Sequence, residues 1–202
     1  MSTPIAFRLP TDVQPLKYNL ALVPNLNNFT LHGKETIEIR VTKPTSSIIV
    51  NASELEISDV EVILRDGNVM PAKSIGLNEA SETATFSFDR TIQPGIASLN
   101  IHFTGVLNDQ LRGFYRSQYT DPKGQKRFLA TTQFEATDAR RAFPCWDEPA
   151  IKATFQVTLV IPTDLVAISN MPVESETPLE EDTKAVRFAE SPRMSSYLLA
   201  FM

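Results

Sequence analysis

The sequence predicts an all-β protein, mostly antiparallel, and three observations carry that expectation. Apolar and polar residues alternate in short runs, as at Tyr18, Leu20 and Leu22 and again at Ile37, Ile39 and Val41, the period of a half-buried strand. Turn signals separate these runs at the roughly 8–12-residue spacing of sandwiches and open barrels. No window of about eleven residues or more shows a helical period.

The elements follow in order. Tyr18 to Leu22 alternates until Pro24, and after the loop Asn25-Leu26-Asn27-Asn28 the run Gly33–Thr42 puts Ile37, Ile39 and Val41 on one face. Ser47–Asn51 is a short apolar strand. Ile57–Leu64 and Val69–Ile75 flank Asp66-Gly67, a strong tight-hairpin signal. Phe86 and Phe88 alternate with polar neighbours, Pro94-Gly95 supplies a turn, and Leu99, Ile101 and Phe103 make another half-buried strand. Asp121-Pro122-Lys123-Gly124 places Asp, Pro and Gly where a type I turn prefers them and predicts a hairpin of Gly113–Tyr119 with Arg127–Thr132. Phe155, Val157, Leu159 and Ile161 alternate cleanly, and Val166–Ser169, Ala185–Phe188 and Tyr197–Met202 complete about a dozen strands. The acidic run Glu174–Asp182 reads as a solvated turn.

Composition narrows the function classes. The chain has 202 residues, of which 42% are hydrophobic and 21% charged, with a net charge of −5. A chain of this size buries roughly 70% of its unfolded surface and needs no staples. The negative balance and scattered Lys/Arg argue against nucleic acid as a partner. No apolar run approaches the roughly 18 residues that cross a bilayer, so no membrane segment is expected. The first eight residues contain no apolar leader, and the single cysteine cannot form an internal disulfide; together they predict a cytoplasmic setting.

Residues 130–149, ATTQFEATDARRAFPCWDEP, concentrate chemistry found nowhere else in the chain, including the only Cys and the only Trp. An extended Ala130–Glu135 points Thr131, Gln133 and Glu135 to one face, with Thr132 and Phe134 on the other. Gln133 and Glu135 then stand roughly 6–7 Å apart, suited to gripping one small polar group. Thr137-Asp138 offers a cap for one short helical turn near 138–143, which Pro144 stops. Cys145, with no neighbouring His, reads as a small buried hydrophobe. Phe143 and Trp146 anchor the loop, and Asp138, Arg140 and Arg141 pin it by ion pairs. Asp147 and Glu148 are adjacent and point opposite ways, so they cannot flank one bond as a glycosidase pair.

The run TTQFEATDARRAFPCWDEPAIKATF strongly resembles the N-terminal domain of the zinc aminopeptidase family that includes aminopeptidase N, puromycin-sensitive aminopeptidase and leukotriene A4 hydrolase. The likeness extends from Arg8-Leu9-Pro10 and Pro15-Leu16-Lys17-Tyr18, through Gly113-Phe114-Tyr115-Arg116-Ser117, to Met194–Phe201. It implies a large, saddle-like curved sheet packed on smaller sheets, with residues 1–202 forming one N-terminal β domain. It also implies that Glu135 helps hold the free α-ammonium of a peptide substrate and that Gln133 lines the pocket for the first side chain. Tyr115 and Arg116 are placed near the cleft. In the family the zinc and the H-E-x-x-H signature belong to the next domain; neither that signature nor G-A-M-E-N occurs here. His32 and His102, on separate strands, read as sheet residues rather than ligands.

The resulting expectation is the substrate-recognition and scaffold domain of a zinc metallo-aminopeptidase. The parent enzyme would bind zinc through its own catalytic domain, and the fragment alone would be inactive and metal-free. Its partners would be a peptide N-terminus and the catalytic domain. The apolar stop at Tyr197–Met202 predicts a cut at a domain boundary and an exposed apolar patch where the rest of the protein docks. A stand-alone, non-enzymatic β-sandwich and a bifunctional relative of the leukotriene enzyme are the alternatives.

Overall fold

The computed structural model describes residues 8–202; the N-terminal residues read above as lacking a leader lie, up to Phe7, outside the described residues. Fourteen strands and two short 3-10 turns are present among the described residues. The strands are β1 (Val13–Asn25), β2 (Thr30–Val41), β3 (Thr45–Asn51), β4 (Leu55–Leu64), β5 (Val69–Pro71), β6 (Ser74–Asn78) and β7 (Thr83–Ile92). They continue with β8 (Gly95–Val106), β9 (Gly113–Thr120), β10 (Lys126–Gln133), β11 (Lys152–Pro162), β12 (Val173–Pro178), β13 (Thr183–Phe188) and β14 (Met194–Ser195).

Three sheets result. The largest has nine strands in the order β12-β13-β11-β1-β2-β8-β4-β5, with β14 added beside β11. A three-stranded sheet runs β3-β7-β6, and β9 and β10 pair as a separate hairpin. Every pair is antiparallel except β1 with β11, two strands far apart in sequence. The mostly antiparallel, multi-sheet β fold matches the expectation.

Alternation explains which faces are buried. Tyr18, Leu20 and Leu22 of β1, Ile37 and Ile39 of β2, and Leu99, Ile101 and Phe103 of β8 all point into one apolar cluster. The smaller sheet adds Ile48, Val50, Ala84 and Phe86 to it. Gly33 marks a close approach: a Cβ there would lie 2.2 Å from the Phe103 ring, so only glycine lets β2 cross that side chain.

Several strand boundaries differ from the expectation. Val69–Ile75 is not one strand: Val69–Pro71 pairs with β4, whereas Ser74–Asn78 pairs with β7 in the other sheet. Pro71 removes a ladder donor at the crossing point. Val166–Ser169 forms only an isolated bridge between Ser169 and Phe201, and Ser196–Leu198 is a 3-10 turn. Conversely, Val173–Pro178, which overlaps the stretch Glu174–Asp182 read as a turn, is an edge strand on β13 with all six residues exposed. Backbone pairing and exposed ion pairs, Glu174 with Arg187 and Glu176 with Lys184, hold it without burial, so it shows no apolar alternation.

One buried group was not anticipated. Glu35, in mid-β2 between Leu20 and Ile101, is fully buried, and neither of its carboxylate oxygens has a hydrogen-bond partner among the described residues. Burial pushes its carboxyl well above the ordinary value of 4.5, while Tyr18 and Cys145 are the buried titratable groups that feel its charge. The unfolded chain releases this proton near the ordinary value and the folded chain retains it. Stability therefore falls as pH rises from about 4.5 through the folded value, by about 1.4 kcal/mol per pH unit. Glu35→Leu removes that slope. Urea denaturation is expected to show it more stabilising at pH 8 than at pH 5; equal effects at both pH values would refute this account of the carboxyl.

Candidate functional site

The site is built on the β9–β10 hairpin. Asp121 Oδ1 accepts from the N–H groups of Lys123 and Gln125, both at 2.9 Å, which closes the turn read from the sequence. The register puts Thr132 opposite Phe114 and Gln133 opposite Gly113. Phe114 and Phe134 are buried against Phe201, with ring centroids 4.9 and 5.9 Å away. Thr132 Oγ1 accepts from Phe201 N–H at 3.1 Å. Gln133, on the opposite parity, is exposed, as alternation requires.

The strand ends two residues sooner than the sequence suggested. Asp138 N–H donates to Phe134 O at 2.9 Å, so residues 134–138 form a turn and Glu135 stands on its exposed rim, not on the strand. The Glu135–Ala136 peptide bond is cis. Gln133, at the end of β10, and Glu135, in the turn just beyond it, are thus both exposed on either side of the buried Phe134.

Beneath them lies a dense ionic network. The 3-10 turn Ala139–Arg141 follows Asp138, whose side chain makes no capping bond. That corrects the helix-cap expectation: the carboxylate accepts from Arg141 Nε at 2.8 Å instead. Arg140 Nε donates to Asp147 Oδ2 at 3.0 Å and its Nη1 to Glu82 Oε2 at 3.1 Å. Asp147 is buried, and its Oδ1 accepts from Ser196 Oγ at 2.7 Å. Glu148 instead accepts from Leu9 N–H at 2.7 Å, so the two acids do face different groups. Trp146 N–H donates to the Tyr18 hydroxyl at 3.1 Å, fastening the loop to β1. Cys145 is buried, and desolvation pushes its thiol well above its ordinary range, which suits packing rather than nucleophilic attack.

Arg116 is used structurally. Its guanidinium donates to Leu107 O at 2.6 Å and to Asp109 at 3.0 Å, and lies 4.5 Å over the Phe29 ring. Tyr115 pairs with Thr131. His32 and His102 lie on β2 and β8, and no three His, Cys, Asp or Glu side chains come together to hold a metal among the described residues. An open cleft beside the loop is lined by Arg8, Glu82, Thr137, Arg140, Asp147 and Glu148, among others, but Arg140 already engages Glu82 and Asp147.

An apolar patch adjoins the hairpin. Ile168 exchanges backbone hydrogen bonds with Met202, and Asn170 Nδ2 donates to Leu198 O, so these segments lie together. Val166 is 80% exposed, Ile168 53%, Leu198 49% and Met202 42%. Four large apolar side chains are thus exposed on two neighbouring segments. The patch abuts the candidate site through Phe201 and Thr132.

Comparisons with known proteins show the family of the chain. A sequence profile described as the peptidase M1 N-terminal domain matches residues 14–198. The chain belongs to that family. It is 47% identical over 195 residues to a puromycin-sensitive aminopeptidase of Caenorhabditis elegans, covering 96% of this chain and 21% of the worm protein. Aminopeptidase M1-B of rice, Oryza sativa subsp. japonica, is 45% identical over 195 residues, with 96% and 22% covered. An aminopeptidase N of Acetobacter pasteurianus is 40% identical over 197 residues, with 98% and 54% covered. This M1 N-terminal domain thus spans about a fifth of the length of the first two curated relatives. No helix of the described residues is long and apolar enough to cross a membrane.

Proposed function

We propose that the chain is the substrate-recognising β domain of a zinc-dependent aminopeptidase, with residues 1–202 acting as one unit. Glu135 binds the α-ammonium of a peptide, and Gln133 lines the pocket for the first side chain. The observation that carries this reading is placement: both residues are exposed at the end of β10, beside the apolar patch of Val166, Ile168, Leu198 and Met202. The parent's catalytic domain covers that patch and brings the hydrolytic apparatus to the two side chains.

The chemistry suits the task. A peptide's end differs from its middle by a cationic amine with three N–H donors. A carboxylate answers it with charge-assisted acceptors, which strengthen once a second domain excludes water. Zinc is assigned to the parent's catalytic domain, as the family resemblance implies, and this chain contributes recognition. The isolated domain is accordingly without peptidase activity. A cytoplasmic setting is proposed with it, in keeping with a single buried cysteine.

Glu135→Gln in the full-length parent tests the assignment, because it removes the charge and keeps the shape. We expect kcat/KM for peptides with a free amine to fall by the equivalent of about 2–5 kcal/mol, a factor of about 30 or more. A change of less than about threefold would overturn the role given to Glu135.

A further inference from the structure

We propose that Arg141 is a positioning residue for Glu135, fixing the turn that carries this carboxylate and so setting affinity for the substrate amine. The proposal rests on the reading of Glu135 given above.

Glu135 is not held by its own side chain. Its carboxylate makes no hydrogen bond among the described residues, and it is exposed. Its place is set by the backbone of the turn 134–138, which is anchored at two points. At one end Phe134 is buried against Phe143 and Phe201. At the other, Asp138 donates its N–H to Phe134 O at 2.9 Å and gives its carboxylate to Arg141 Nε at 2.8 Å.

Arg141 joins that turn to two loops remote in sequence. Its side chain is only 10% exposed. Nη1 donates to Ser53 Oγ at 3.2 Å and to the Glu54 carboxylate, and Nη2 donates to Glu82 Oε1 at 2.7 Å. Glu54 lies between β3 and β4, and Glu82 between β6 and β7. One planar fork therefore ties three segments, which a lysine ammonium does not reproduce.

One further feature gives the guanidinium more than a packing role. Glu54 and Glu82 have φ of +59° and +50°, a left-handed conformation that side-chain-bearing residues adopt at a cost. Glycine would relax either position, but glycine has no carboxylate to offer Arg141. Arg141 also presses on the strand that pairs with Gln133. A Cβ on Gly113, whose φ is +68°, would lie 2.8 Å from Arg141 Cβ, and Gly113 is the register partner of Gln133. That approach involves Arg141 Cβ and is independent of the guanidinium; what the fork positions is the turn that carries Glu135. Strain collected around one fork, beneath an otherwise untethered carboxylate, is the mark of a pre-organised site.

Two variants of the full-length parent test this. Arg141→Lys keeps the charge and loses the fork. Asp138→Ala cuts the link to the turn and leaves the Arg141 contacts to Glu54 and Glu82, so it serves even if the first variant fails to fold. Each is expected to raise KM for a free-amine peptide about tenfold with kcat changed less than about threefold. Inhibition by an analogue lacking the α-amine should stay within about twofold, because that analogue makes no use of Glu135. Added to Glu135→Gln, Arg141→Lys should cost less than about twofold more, as coupled residues do. If Glu135→Gln raises KM while both variants leave it unchanged, or weaken the amine-free analogue equally, Arg141 is not a positioning residue. If Glu135→Gln itself changes kcat/KM by less than about threefold, the reading of Glu135 fails first and this inference fails with it.

Discussion

Asp147→Ala is expected to destabilise the fold by about 3–5 kcal/mol, the cost of removing one partner from a buried ion pair. Asp147 is 3% exposed, and its carboxylate accepts from Arg140 Nε, Arg140 N–H and Ser196 Oγ. Its own N–H donates to Asn51 Oδ1 at 3.1 Å. Alanine leaves Arg140, with a side chain 12% exposed, with Glu82 as its one carboxylate and the residue-147 carbonyl at 3.4 Å. It also frees the Ser196 hydroxyl beneath the C-terminal segment. Asp147→Asn keeps the shape and one carbonyl acceptor, so it should cost less than alanine. Urea denaturation measures both. An alanine variant losing under about 1 kcal/mol would show that the network is solvated in solution and does not hold the loop.

Phe143→Ala should cost a similar amount, about 3–5 kcal/mol, by a different route. Phe143 is fully buried and makes edge contacts with Tyr18, Phe134 and Phe155, at centroid distances of 6.0, 6.0 and 6.5 Å. Truncation opens a cavity that these rings fill only in part, because each is fixed elsewhere: Tyr18 stacks on Phe155 at 4.8 Å and accepts from Trp146 N–H. The loss should reach the site, since Phe134 anchors the turn bearing Glu135. A drop in denaturation free energy below about 1.5 kcal/mol would mean that the aromatic base repacks freely.

The sequence showed most of the sheet, because half-buried strands announce themselves by alternation. Where backbone pairing works without burial, as in Val173–Pro178, the signal vanished and the strand was read as a turn. Where one apolar run serves two sheets, as across Pro71–Ser74, the crossing was invisible. Gln133 and Glu135 were marked by their neighbourhood and by resemblance, but the turn at Phe134 was missed because it depends on a hydrogen bond from Asp138. The partners of the two arginines were illegible: Glu82 is 58 positions from Arg140, and Glu54 is 87 from Arg141. Glu35 was legible and overlooked. It shares parity with Ile37, Ile39 and Val41, which already pointed it inward.

The most direct test is the structure of the full-length parent with a peptide bound in its cleft. A Glu135 carboxylate oxygen is expected at about 2.7–2.9 Å from the peptide's α-nitrogen, the span of a charge-assisted N–H···O bond. An α-nitrogen held by other groups, with Glu135 facing solvent more than about 4 Å away, would contradict the recognition role at its root.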